Sequence, residues 1–338
     1  MKSFITVLLI WPVILGYALA QDKDDITSKI DGWVEGHMQM GLSQETLNRA
    51  DSVFKSRQYE ESADIYRKAF KIAEDENNID VQTEALAQIA RVFLINNDLE
   101  NGRIWLEKAA SLADSTMPLG WSRYMGVKGR LLWQEDKKPE ATRLFMEQYE
   151  YCSHHKLHER AIDAAHMVAI TGDHRQQIEW GHKGIKEAEE GGITSWLGPL
   201  WNNLGATYED MGKYDSSLQA YLKAREYHYL TGTDANKMIA DWAVGHAYLN
   251  LQDYKNAREW LEPLIEWCQN LEENEFLGLT YLDLGEIDFA EDKFDTALDK
   301  FEQAETLLKE AGMPEWDPDG FEKIVSRIVD CKKHSADD

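Results

Sequence analysis

The sequence is poor in everything that would staple or anchor a chain. Its three cysteines, Cys152, Cys268 and Cys331, contain no C-x-x-C pair, which excludes a small disulfide framework and the closed zinc patterns. Proline is scarce, seven in 338 residues, so long stretches are free to be helical. No segment alternates apolar and polar residues over a strand's length, and no sheet is expected. Basic residues are also in deficit: 36 Lys and Arg against 61 Asp and Glu leave a net charge of −25. That is the wrong sign for a surface that must lie on phosphates, so no nucleic acid is expected as a partner. The patterns G-x-S-x-G, H-E-x-x-H, G-x-x-x-x-G-K-[ST] and G-x-G-x-x-G are all absent, which removes the common signatures of nucleophilic, zinc-protease and phosphate-loop chemistry. No catalytic residue, metal or cofactor is therefore assigned. Adjacent acids such as Glu209-Asp210 and Glu272-Glu273 read as solvated helix faces, because 61 acids make such neighbours unavoidable.

One long apolar run is present, at the start. Residues 1–20, MKSFITVLLIWPVILGYALA, place one Lys before an apolar core and end in Ala18-Leu19-Ala20, the layout of a secretory signal peptide cut before Gln21. Pro12 and the shortness of the run argue against a span, which needs roughly 20 apolar residues. The expectation is an exported protein, periplasmic or extracellular, with no stable membrane span after cleavage. Losing the leader removes Lys2 and no acid, taking the net charge from −25 to −26.

What the sequence does have is a period. Small residues at Ala50, Ala90, Gly129, Ala165, Gly205, Gly245 and Gly285 recur at intervals of 40, 39, 36, 40, 40 and 40 residues. Twelve residues after each lie Ser62, Gly102, Ala141, Gln177, Ser217, Ala257 and Ala297, and four further on Tyr66, Leu106, Phe145, Gly181, Tyr221, Leu261 and Phe301. Three beyond those come Ala69, Ala109, Gln148, Gly184, Ala224, Leu264 and Ala304. Steps of four and three keep one face of a helix. Each unit is thus two helices, with breaks expected at Asn96-Asn97-Asp98, Gly172-Asp173, Met211-Gly212-Lys213 and Leu251-Gln252-Asp253. A Gly or Ala where two helices cross lets their axes approach. The divisions expected are a leader at 1–20, an N-terminal segment or capping helix at 21–43, seven repeats over 44–312, and a linker, capping helix and polar tail over 313–338. In the cap, Phe321, Ile324, Val325, Ile328 and Val329 form the apolar side, with Glu322, Lys323, Arg327 and Lys332 opposite.

The order W-x-x-L-G-x-x-Y at Trp201 to Tyr208, followed by Ser217, Tyr221 and Ala224, resembles the tetratricopeptide repeat. The resemblance covers about four fifths of the chain and is weakest in the unit from Glu159, where Gln177 and Gly181 replace a small residue and an aromatic. The closing Pro of the pattern is missing throughout. The interval is 40 residues rather than 34, as in longer-helix variants, whose extra residues should lengthen helices rather than loops. The resemblance implies an all-α fold, a right-handed superhelical solenoid of about seven helix-turn-helix repeats with a C-terminal capping helix.

It also implies that the first helix of each unit lines a concave groove, through the residue after the small position and residues three or four away. Those next residues are Asp51, Arg91, Arg130, His166, Ala206, His246 and Glu286. Arg91, Arg130 and His166, joined by Arg123 and Lys128, would form a basic stretch for a carboxylate-bearing guest, since Arg forks two hydrogen bonds onto a carboxylate. The competing reading is that these arginines pair with acids of neighbouring repeats. Asn202, Trp242, Trp133 and His246 would add amide, aromatic and imidazole contacts, with Asn203 and Ala206 also facing the groove. The family's carboxylate clamp uses Lys and Asn at set places; Lys does not recur there, so that activity is not carried over.

Two further features read as structural. Cys152, His154, His155, His158 and Glu159 cluster at an expected turn, yet their spacing matches no closed zinc pattern. Cys152 and Cys268 each lie 23 residues after their unit's glycine, three units apart. At roughly 8 to 10 Å per packed helix they are too distant to bond. The function expected is a non-catalytic scaffold binding a protein or peptide with an acidic element. The alternatives are a periplasmic sensor acting with a separate transducer, an envelope assembly factor or chaperone, and an α/α-barrel hydrolase.

Overall fold

A computed structural model describes residues 41–337; the leader and nearly all of the N-terminal segment lie outside them. The described residues form sixteen α-helices and no strand, and the chain divides into two compact units at Trp196 and Leu197. The first unit holds α1 (Leu42–Lys55), α2 (Tyr59–Asp75), α3 (Ile79–Ile95), α4 (Leu99–Ala110), α5 (Pro118–Gln134), α6 (Lys138–His154), α7 (His158–Thr171), α8 (His174–Glu190) and a 3-10 turn, Thr194–Trp196. The second holds α9 (Leu197–Asp210), α10 (Tyr214–Thr231), α11 (Asp234–Asn250), α12 (Tyr254–Leu271), α13 (Asn274–Ala290), α14 (Phe294–Glu310), α15 (Met313–Trp316) and α16 (Pro318–Asp337). Helices α1 to α14 pair in sequence order as seven helix-turn-helix repeats.

The seven small positions explain the pairing. Ala50, Ala90 and Ala165 are fully buried, and a Cβ added at Gly129, Gly205, Gly245 or Gly285 would meet Phe145, Tyr221, Leu261 or Phe301 at 2.4, 2.5, 2.7 or 2.8 Å. Those four partners stand sixteen residues on, on the second helix of the same repeat. In those four repeats a large side chain from the second helix rests on the backbone of the first, closer than a methyl group at the present spacing would allow.

The turns are equally regular. Arg57, Asn97, Asp136, Gly212, Gln252 and Asp292 all have φ between 59° and 66°, each the middle of a three-residue link. The next N–H returns to a carbonyl five residues back, as in Gln58 to Val53 and Lys213 to Tyr208, which closes the first helix of the pair and starts the second. Repeat four departs: Gly172 is extended, and Asp173 caps α8 in a reciprocal box with Gln176. There Trp180, one residue before Gly181, supplies the missing aromatic, buried edge-to-face on Tyr149 at 5.2 Å.

The expectation of longer helices and no longer loops fails in repeat two. Helix α4 has only 12 residues, and residues 111–117 form a link in which Asp114 accepts from the Thr116 backbone at 2.8 Å and Tyr151 donates to the Ser115 carbonyl at 2.7 Å. Pro118 opens α5, where its fixed φ suits a first turn and its missing N–H costs nothing. The cap also differs in detail. Ile324, Ile328 and Cys331 bury against the core that includes Leu308 and Met313, while Val325 and Val329 stay exposed at 39% and 46%. One packing partner covers one stripe, narrower than the apolar side read from spacing.

Candidate binding face of the first helices

In the first unit, the inward faces of α1, α3, α5 and α7 carry charge. Arg123 of α5 donates from Nη2 to Asp51 of α1 at 3.2 Å and to Glu84 of α3 at 3.0 Å, with Nε adding a 3.2 Å bond to Glu84. Arg160 of α7 reaches Glu84 as well and donates to Ser122 Oγ at 2.7 Å and to the Leu119 carbonyl. Both arginines span an intervening repeat. In a flat stack, helices two repeats apart would lie about 16–20 Å apart. The contacts require the first-helix layer of this unit to curve inward. At its rim Lys55 approaches Glu159 at 3.9 Å, both exposed, a pair of little energetic weight.

Glu84 is the hub, only 1% exposed: both arginines bond its Oε1, and its buried Oε2 has no hydrogen-bond partner. Asp51 also accepts from Tyr66 Oη at 2.5 Å and from Gln88 at 2.8 Å; burial pushes its pKa up, but Arg123 and Tyr66 outweigh that and hold it below the usual value. Arg130 Nη2 donates to both oxygens of Asp163, at 2.7 and 2.8 Å, while Nη1 donates to the Gly126 carbonyl, and although burial opposes ionisation, Arg130 and Arg91 hold the Asp163 carboxyl down at about 2.

The candidate residues separate on this geometry. Arg123 and Arg130 are paired with acids of neighbouring repeats, as the competing reading expects. Arg91 is not: half-buried, it lies over the Phe54 ring at 4.8 Å and makes no hydrogen bond or ion pair to an acid among the described residues, although the charge of Asp163 reaches it. Burial, then the charge of Arg130, pushes its pKa down to about 10 against the opposing pull of Asp163. His166 is 8% exposed and packs at 5.6 Å from Trp196, with Nε2 unpartnered; burial pushes it down to about 4, keeping it neutral. Lys128 is exposed beside Tyr124 at 5.5 Å, and Trp133 packs partly buried near Phe145.

In the second unit the groove expectations are corrected. Asn202 and Trp242 are 4% and 2% exposed, and Ala206 belongs to the core cluster. Their burial leaves no accessible amide or ring. His246 ties three repeats: Nδ1 meets Asp283 of α13 at 2.9 Å, Nε2 meets Glu209 of α9 at 3.2 Å, and Trp242 stacks on the ring at 5.0 Å. With a carboxylate at each nitrogen the imidazole must carry both protons. Burial would lower its pKa, but Asp283 and Glu209 raise it well above the ordinary value. Glu286 is held by a fork from Arg327 of the cap at 2.9–3.1 Å.

The repeat pattern does not single out Glu84, Arg160 or Asp163. A signal exists for two of them: Glu84 and Arg123 each stand six residues before their small position, and Asp163 two before Ala165. The histidine cluster comes apart as a ligand set. His158 Nδ1 bonds Glu187 at 2.7 Å beside Ser153 and Tyr149, His154 and His155 contact each other as rings at 5.1 Å, and no metal-holding group is found among the described residues. The three cysteines are free and buried, and burial pushes the Cys152 and Cys268 thiols up to about 12. No described helix is long and apolar enough to cross a membrane.

With this geometry in place, comparison with known proteins is direct. The tetratricopeptide repeat family matches residues 236–310 and, by a second description of the same repeat, 198–226. The chain carries tetratricopeptide repeats. The fold is that of solved tetratricopeptide-like solenoids. It superposes on the apo form of RapI with TM-score 0.67 at 13% identity, covering 85% of each chain. A signal transduction ATPase with a tetratricopeptide repeat sensor from Pyrococcus horikoshii gives 0.64 at 16% identity over 84% of this chain, which spans 43% of that protein. The C-terminal part of a tetratricopeptide repeat-containing protein from Cytophaga hutchinsonii gives 0.53 at 15% identity over 83% of this chain and 99% of that part. No curated protein matches in sequence.

Proposed function

We propose that this chain is an exported, non-catalytic scaffold that binds a protein or peptide on the curved first-helix face of its first unit, through an acidic element of the guest. The observation that carries the reading is Arg91, a cation on that face with no hydrogen bond or ion pair to an acid among the described residues. The absence of catalysis is supported by the state of the acids, since Asp51, Glu84 and Asp163 are each held by an arginine. Affinity would come from a preformed surface assembled by stacked repeats. Export is supported by the leader pattern at 1–20.

The test is crosslinked capture from native envelope and medium fractions, comparing the wild type with the double variant Arg91→Glu, Arg130→Glu. The same partner should be recovered at least tenfold less efficiently with helicity retained, and equal recovery would sink the proposal. Mass spectrometry of the purified protein should find Gln21 as its first residue, and an intact leader would remove the exported part of the reading.

A further inference from the structure

The first-helix face of the first unit can be counted as a closed set of charges. Apart from the exposed Lys55–Glu159 pair at its rim, which cancels itself, it holds four guanidinium groups, Arg91, Arg123, Arg130 and Arg160, and three carboxylates, Asp51, Glu84 and Asp163. His166 is neutral. Arg123 lies between Asp51 and Glu84, Arg160 shares Glu84, and Arg130 takes both oxygens of Asp163. One positive charge is left over, and the contacts place it on Arg91.

The setting of Arg91 says what kind of anion would balance it. One face of its guanidinium is covered by Phe54, while the five in-plane N–H donors of such a group form a rigid fork. No acceptor engages that fork among the described residues. A half-buried cation with open donors is relieved by an anion that matches the fork, and a carboxylate does so with two parallel hydrogen bonds. A phosphate group brings about −1.5 to −2 charges at neutral pH and would call for a second free cation. Arg130 and Arg123 cannot supply one while Asp163, Asp51 and Glu84 hold them.

We propose that Arg91 receives one carboxylate of the guest in a bidentate fork, and that the face is built for a single negative charge rather than two. This rests on the reading that the face binds an acidic element, and it narrows that reading in two ways. Arg91 alone is the anchor, with Arg130 and Asp163 as a fixed wall beside it. The carboxylate can come from an Asp or Glu side chain or from a chain terminus, and both present the same two oxygens.

The experiment is an NMR titration of the full chain, following the Arg91 Nε–Hε signal, assigned by its loss in Arg91→Lys. The probes are N-acetylglutamate α-amide for a side-chain carboxylate, N-acetylglycine for a terminal one, N-acetylglutamine amide as the neutral control, and inorganic phosphate. At least one carboxylate should shift the Arg91 signal, and which one does so identifies the source. Its affinity, followed in every variant through the backbone amide signals of α3, should fall at least tenfold in Arg91→Gln and at least threefold in Arg91→Lys, which keeps the charge but loses the fork. Phosphate should bind the wild type no more tightly than the carboxylate. It should gain at least threefold in Asp163→Asn, which leaves a second positive charge uncompensated. The proposal is overturned if neither carboxylate moves Arg91, if the neutral amide moves it equally, if Arg91→Lys binds the carboxylate unchanged, or if phosphate binds the wild type tenfold more tightly. Should Arg91→Gln lose helicity, the threefold loss in Arg91→Lys becomes the deciding measurement. Silent probes combined with a partner that still depends on Arg91 and Arg130 would sink the single-carboxylate site and leave the scaffold standing.

Discussion

At the scale of single residues, this protein is governed by two opposite demands, the smallest side chain where helices cross and an opposite charge within reach where a carboxylate is buried. Gly205 illustrates the first. A methyl group there would lie 2.5 Å from the Tyr221 ring, so Gly205→Ala should cost about 1–3 kcal/mol by overpacking, measured as a lower urea midpoint with unchanged helicity. Glu84 illustrates the second. It accepts from two arginines whose side chains are 17% and 19% exposed, and removing its charge leaves Arg160 without an anion and Arg123 with Asp51 alone. Because those arginines keep some solvent, Glu84→Gln is expected at the low end for breaking a buried pair, about 3 kcal/mol. Thermal unfolding of the variant checks this, and a loss below about 1 kcal/mol would show that the hub is dispensable. The small residues are readable from spacing alone. Glu84, buried among like-spaced acids on solvent faces, is not, because a carboxylate in sequence does not announce which arginine will reach it.

At the scale of helices, the repeats are joined by contacts that skip the turn chemistry and run from one first helix to the next. His246 on α11 is the clearest, bridging Glu209 on α9 and Asp283 on α13. Its folded pKa is raised, so its stabilisation is fully present below the unfolded value of about 6.5 and is lost as pH rises through the folded value. His246→Gln should therefore lower the melting temperature at about pH 6, and its deficit relative to wild type should shrink at an alkaline pH above the folded value. Calorimetry at both values decides the matter; a pH-independent deficit would mean that the ring contributes packing rather than charge. The sequence places His246 at the right register position and suggests a guest contact. The fold turns it into a strap because acids from two neighbouring helices converge on it, and those acids come from positions 37 residues away on either side.

At the scale of the whole molecule, a net charge of −25 over 338 residues works against compaction. Raising the ionic strength from about 20 to about 200 mM shortens the Debye length to less than 10 Å, and the melting temperature should rise with it. The same salt should weaken any carboxylate held by Arg91, so stability and capture are expected to move in opposite directions. A melting temperature that falls with salt would place the paired arginines ahead of the general repulsion. What the sequence determined unaided is the repeating scaffold: residues at steps of four and three, small residues every 36 to 40 positions and turn residues between them are local signals, and each repeat reuses the same packing solution. What only the tertiary structure decided is which charges are satisfied. Arg91, Arg123 and Arg130 look alike in sequence, and curvature of the first-helix layer brings Asp51, Glu84 and Asp163 to two of them and to Arg160 while leaving Arg91 open. That difference depends on distances across one and two repeats, which periodicity cannot encode, because a period fixes what recurs and the site is made of what does not.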